Sequence, residues 1–197
     1  IEDFSGSGTL AGTSPADLTG VGANWSTYNS VGGAPNNAFT RSGGGATVVL
    51  PLASFARLNP GSPSLLHSSG VTVVQAAARP GMQLYIGFAT LDSYLSLNFN
   101  PDGSGSWVFE GPTSSGSGSF TGATLSPPAV VRIEITSSLA RFYVSDTLKA
   151  THSSGGIPYG SPVTSIRFGQ LATFSNGESS GTTVAALYEL QVLTETT

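Results

Sequence analysis

Several short stretches of this chain place tyrosine or arginine on every second residue, beside asparagine, glutamine or serine. They are Tyr94, Ser96 and Asn98; Arg141 and Tyr143; Arg132 and Glu134; and Gln83 with Tyr85. A sugar ring has an apolar C–H face that stacks on an aromatic side chain, and a rim of hydroxyls that pairs with amides, carboxylates and guanidinium groups. Candidate glycan contacts are therefore Tyr94, Asn98, Trp107, Arg141, Tyr143, Tyr85 and Trp25, with Tyr28, Asn29 and Tyr159 as further loop aromatics and amides. A structural reading stands beside this one. Trp107 alternates with Phe109 as a core residue would, Trp25 is suited to plugging the end of a fold, and Arg132 with Glu134 can pair across neighbouring strands.

Other chemistries find less. Retaining glycoside hydrolysis needs two carboxyl groups about 5 Å apart. The acids Glu2, Asp3, Asp17, Asp92, Asp102, Glu110, Glu134, Asp146, Glu178, Glu189 and Glu195 are scattered, and the adjacent pair Glu2 and Asp3 would point to opposite faces of a strand. The two histidines, His67 and His152, lie in serine-rich contexts that read as polar loops rather than Ser–His pairs. No Gly-Lys-Ser or Gly-Lys-Thr phosphate loop occurs, and no Gly-x-Ser-x-Gly elbow leads into helical sequence. Asp102 with Asn98 and Asn100 offers oxygen ligands of the kind calcium takes, but Asn100-Pro101-Asp102-Gly103 is first of all a turn. No catalytic residue, metal ligand or cofactor is assigned.

The elements that must carry these residues are strands. Apolar residues alternate in Met82–Phe88, Tyr94–Asn100, Val131–Thr136 and Arg141–Ser145, which puts one face in a core and the other in water. Ala46–Leu50, Val71–Ala77, Trp107–Glu110, Ser165–Gln170 and Val184–Leu193 are further strands. Turn residues separate them at Asn59-Pro60-Gly61, Arg79-Pro80-Gly81, Ser137-Ser138 and Asn176-Gly177, and Asp102-Gly103 is the strongest hairpin signal. Gly and Pro interrupt nearly every window long enough for a helix, with one helical turn expected at Leu52–Leu58. The glycine- and serine-rich stretches Ser42–Gly45, Thr113–Gly118 and Gly177–Gly181 read as loops. About ten strands at this spacing predict one all-β domain over residues 1–197, a two-sheet antiparallel β-sandwich or jelly roll.

Composition narrows the partners. Seven basic against eleven acidic residues leave a net charge of −4, which does not suit a nucleic-acid surface. Cys is absent, which removes disulfides, thiol catalysis and Cys-type zinc sites. No apolar run reaches the roughly 18 residues of a membrane span, so no membrane insertion is expected. The start at Ile1 suggests a processed product or a domain of a longer chain.

Three segments together resemble a known family. Ile1-Glu2-Asp3-Phe4, followed by Gly6–Leu10 and by Trp25 in its Gly-Ala-Asn-Trp context, is similar to the opening of concanavalin A-like (laminin G-like) lectin and glucanase domains, particularly those of tailed-phage fibres and other virion proteins. Val131–Ile135 with Arg141–Thr147 resembles the central hairpin of that fold, with Thr147 where the family usually has Gly. Ala186–Val192 resembles the closing strand, which in the family lies beside the first. The resemblance implies a concanavalin A-like jelly roll of a kind that often binds glycans. Related glucanases carry a Glu-x-Asp-x-Glu run on one strand, and no such run is present here.

The resulting expectation is a non-enzymatic virion surface protein of a phage, attaching to the host through a cell-surface glycan. Its other expected partners are virion proteins and further copies of itself, a trimer by analogy with fibres. Capsid decoration or fibre assembly without a sugar ligand is the alternative, and a polysaccharide-degrading enzyme is the third reading.

Overall fold

The computed structural model describes residues 4, 6–13, 24–29, 39–42, 44–49, 54–58, 70–89, 93–123, 128–136, 138–153, 157–158, 160–170 and 183–195. All regular structure in them is β. The strands are β1 (Ser7–Thr9), β2 (Trp25–Asn29), β3 (Phe39–Ser42), β4 (Ala46–Val49), β5 (Ser54–Leu58), β6 (Val71–Ala78), β7 (Met82–Phe88), β8 (Tyr94–Phe99), β9 (Gly105–Glu110), β10 (Ser115–Phe120), β11 (Ala129–Ile135), β12 (Leu139–Val144), β13 (Thr147–Ser153), β14 (Val163–Gln170) and β15 (Thr183–Glu195). They form two antiparallel sheets. The first, of eight strands, runs β1-β3-β4-β15-β6-β11-β12-β13, and the second, of seven, runs β10-β9-β8-β7-β14-β5-β2. This is the expected all-β, concanavalin A-like jelly-roll sandwich.

Alternation builds the core. Val74, Ala76 and Ala78 of β6, Val131, Ile133 and Ile135 of β11, and Phe142 and Val144 of β12 are buried on the first sheet. Met82, Leu84, Ile86 and Phe88 of β7, Leu95, Leu97 and Phe99 of β8, and Ile166 and Phe168 of β14 are buried on the second. Fully burying the Val, Leu, Ile, Met and Phe side chains among these stabilises the fold by about 1.5–3 kcal/mol each. The intervening residues face outwards on whichever sheet their strand joins.

Turn chemistry follows the sequence at Asp102-Gly103. Gly103 has φ of +81°, and the Asp102 carboxylate accepts hydrogen bonds from the Ser104 amide at 2.9 Å and the Ser104 hydroxyl at 2.6 Å. Both bonds favour the charged form and hold the Asp102 carboxyl below its ordinary value, the hydroxyl bond contributing most. The carboxylate of the suggested calcium position is thus engaged by its own turn.

Several expectations need correction. Ser54–Leu58, placed in a helical turn, is strand β5. Most of Thr113–Gly118, taken as a loop, belongs to the β9–β10 hairpin, with β10 an edge strand of the second sheet. His152, taken as a loop residue, lies in β13. The closing strand β15 lies between β4 and β6, and the opening segment expected beside it, Ile1–Phe4, falls almost wholly outside the described residues. Residues 1–3, His67, Tyr159, the turns at 59–61 and 176–177, and the stretch 177–181 lie outside the described residues.

Candidate functional site

The expected glycan contacts separate into three places. Tyr85, Tyr94 and Asn98 share the outer face of the second sheet, because β7 and β8 are neighbours there. Arg141 and Tyr143 lie on the outer face of the first sheet, on β12. Trp25 is 2 % exposed in the core, with its ring centroid 5.5 Å from that of Phe4. Trp107 turns inwards, its centroid 5.2 Å from Phe142 and 5.6 Å from His152. The Trp25 ring, being buried, has no open face for a sugar, while Trp107 is partly buried and packs against the core from its edge strand pair.

On the second sheet the two tyrosines form a platform. Their ring centroids are 5.2 Å apart and their planes 18° apart. Gly87 makes this possible. It stands directly opposite Tyr94, and a Cβ on it would lie 3.0 Å from Tyr85 Cε1 and 2.9 Å from Ser165 Oγ. Without a side chain at that position, the Tyr85 ring can lie against its own strand and meet Tyr94 across the ladder. On the other flank, β14 places Arg167 opposite Tyr85, and the guanidinium carbon lies 4.5 Å from the ring centroid. Arg167, Tyr85 and Tyr94 thus form a cationic and aromatic row across three adjacent strands.

Polar groups continue from this row. Asn98 donates from Nδ2 to Ser106 Oγ at 3.1 Å, while its Oδ1 is buried with no hydrogen-bond partner among the described residues. Glu110 of β9 stands opposite Tyr94, and Ser96 stands opposite Tyr85. No described strand carries alternating carboxylates, and the outward positions of β8 are a phenol, a hydroxyl and a carboxamide. Sequence reasoning gave Arg167 no role. The signal was available, since Ser165, Arg167 and Gly169 alternate with Ile166 and Phe168.

The outer face of the first sheet carries a different group. Arg132 Nε lies 3.0 Å from Glu134 Oε1, and Arg132 Nη1 lies 3.1 Å from Asp146 Oδ1. Its guanidinium carbon is also 4.2 Å from the Tyr143 ring centroid, and Arg141 Nη1 is 3.8 Å from Glu134 Oε2. Burial, followed by the Glu134 charge and hydrogen bond, raises the Tyr143 phenol above its ordinary value. The charges in this group satisfy one another, as ordinary cross-strand pairs do.

No protein-family model and no curated protein matches the sequence. Solved structures match in fold. The β-glucanase of Bacillus licheniformis aligns with TM-score 0.57 and 12 % identity over 96 % of this chain and 98 % of its own. Alginate lyase A1-II′, of polysaccharide lyase family 7, aligns with TM-score 0.52 and 16 % identity over 86 % and 93 %. The binding domain of botulinum neurotoxin serotype G aligns with TM-score 0.54 and 11 % identity over 95 % of this chain, which spans about half, 46 %, of that domain.

Identities this low speak to the fold. They also overturn the expectation of a non-enzymatic attachment protein, which rested on tying this fold to virion adhesion. The matching structures include polysaccharide-degrading enzymes, a laminarinase from Thermotoga petrophila among them.

Proposed function

We propose that this chain degrades a polysaccharide, that the sugar chain lies across the outer face of the second sheet, and that cleavage proceeds by elimination at a uronate residue. The observation that supports this reading is the row formed by Arg167, Tyr85 and Tyr94 on a face with no carboxylate pair among the described residues. Retaining hydrolysis requires two carboxyl groups about 5 Å apart. Elimination requires a cation or donor at the uronate carboxylate, which makes the C5 proton acidic, and groups that move protons. The C5–H bond breaks and its proton passes to a base. The electron pair forms the C4–C5 double bond, the C4–O bond breaks, and the leaving oxygen takes a proton.

On this face Arg167 holds the carboxylate, and Tyr85 and Tyr94 take the proton from C5 and supply one to the leaving oxygen. The test is incubation with alginate, polygalacturonate, laminarin and lichenan, following ultraviolet absorbance of unsaturated ends and total reducing ends. Absorbance from a polyuronate, lost in Tyr94→Phe, is expected. Reducing ends without absorbance from any substrate, or no product at all, overturns the reading.

A further inference from the structure

Each sheet ends in two edge strands, and an edge exposes a row of backbone donors and acceptors that another strand can pair with. Proteins blunt such edges by shortness, by charge, by bulges or by cover. Three of the four edges here are treated in this way. β1 has three residues. β13 carries Lys149 and a register shift against β12. β2 is bound at its start by Gly12 and Thr13, whose backbones pair with Trp25 at 2.7 and 2.8 Å.

Among the described residues, β10 has none of these protections. Its six residues, Ser-Gly-Ser-Gly-Ser-Phe, carry no charge and no Pro, and pair with β9 in unbroken register. The hairpin-closing bond from Gly111 N–H to the Ser114 carbonyl, 2.9 Å, sets the alternation of the ladder. Gly116 and Gly118 then bond to β9, and the N–H and C=O groups of Ser115, Ser117 and Ser119 point away from it. The side chains of these serines are exposed. Among the described residues, the outer edge of β10 is therefore an uncharged strip of peptide groups.

We propose that β10 pairs antiparallel with β10 of a second copy about a two-fold axis, joining the two second sheets into one continuous sheet. A second copy fits because the strip is self-complementary. It has no charge to oppose itself, and a two-fold axis sets one serine row beside the other. On the reading proposed above, the dimer brings two Tyr94 sites onto one face. They lie five inter-strand steps apart, about 24 Å at ~4.8 Å per step, so one long polymer could engage both.

The test is sedimentation velocity over a range of concentrations on the chain, Ser117→Pro and Ser117→Lys, with circular dichroism and thermal midpoints alongside. Ser117→Pro removes an outward N–H and no bond to β9. A wild-type dimer is expected, with loss of the dimer in Ser117→Pro at unchanged circular dichroism. If the proline variant fails to fold, Ser117→Lys decides, since it sets like charges near the axis and should weaken the dimer, less so in high salt. A wild-type monomer at every concentration overturns the proposal, as does a dimer that survives in the folded variants. The readout is mass, so failure here leaves the catalytic reading standing, and the reverse also holds.

Discussion

The imidazole of His152 occupies the space that a side chain on Gly116 would need: a Cβ there would lie 2.6 Å from His152 Cε1 and 2.8 Å from Nδ1. The His152 ring is held against Phe109, centroids 5.0 Å apart, and against Trp107. Gly118 repeats the arrangement, with a Cβ 2.8 Å from Trp107 Nε1. The alternation of serine and glycine in β10 is thus a strand pattern in which hydroxyl faces water and hydrogen faces an aromatic cluster.

Gly116→Ala should therefore destabilise the protein by about 1–3 kcal/mol through overpacking. Urea unfolding measures this, and His152→Ala in the same chain should recover part of the loss as a positive coupling. An unchanged midpoint in Gly116→Ala would show that the imidazole moves aside freely.

The β12–β13 turn holds Ser145 and Asp146 at φ of +47° and +59°. Both residues of a two-residue hairpin loop then lie in the left-handed region, which Asn tolerates better than Ser. Ser145→Asn should stabilise the protein, measured as a higher thermal midpoint. Asp146 should stay, because Arg132 pairs with it.

Tyr143 is raised first by burial and then by Glu134. A tyrosine whose folded value is raised contributes stability that is full below its unfolded value and is lost as pH rises through the folded value. Glu134→Gln should move Tyr143 ionisation down without returning it to the ordinary value, because the burial contribution remains. Phenolate absorbance during alkaline titration reports it, and no movement would contradict the assigned cause.

Asp102 has the opposite sign. Its folded value is depressed by Ser104, so its contribution is present above the ordinary carboxylate range and is lost as pH falls through the folded value. Thermal midpoints of wild type and Asp102→Asn should differ at neutral pH and converge in acid. A gap that persists in strong acid would show that charge is not the cause.

At the candidate site, Tyr94→Phe should lower kcat by about 10²–10⁴-fold, the usual share of a positioned acid or base. Arg167→Met should act mainly through KM on a polyuronate. Equal activity of both variants with wild type would remove this face from the reaction.

Local alternation was enough to identify β7, β8, β11 and β12, because one wet and one buried face leave a period of two in each strand, and Asp102-Gly103 marked its own hairpin. From these the sandwich followed. β10 and most of β13 were not legible, because Ser, Gly and Thr show no hydrophobic alternation and only the aromatic cluster beneath them reveals which side faces in. The site divides in the same way. The sequence could set Tyr85, Tyr94, Asn98, Arg141 and Tyr143 on wet faces, but which sheet each strand joins is decided by pairing between distant segments. That pairing put Arg167 beside Tyr85, sent Tyr143 to the opposite surface, closed Trp25 into the core and set Trp107, partly buried, against it.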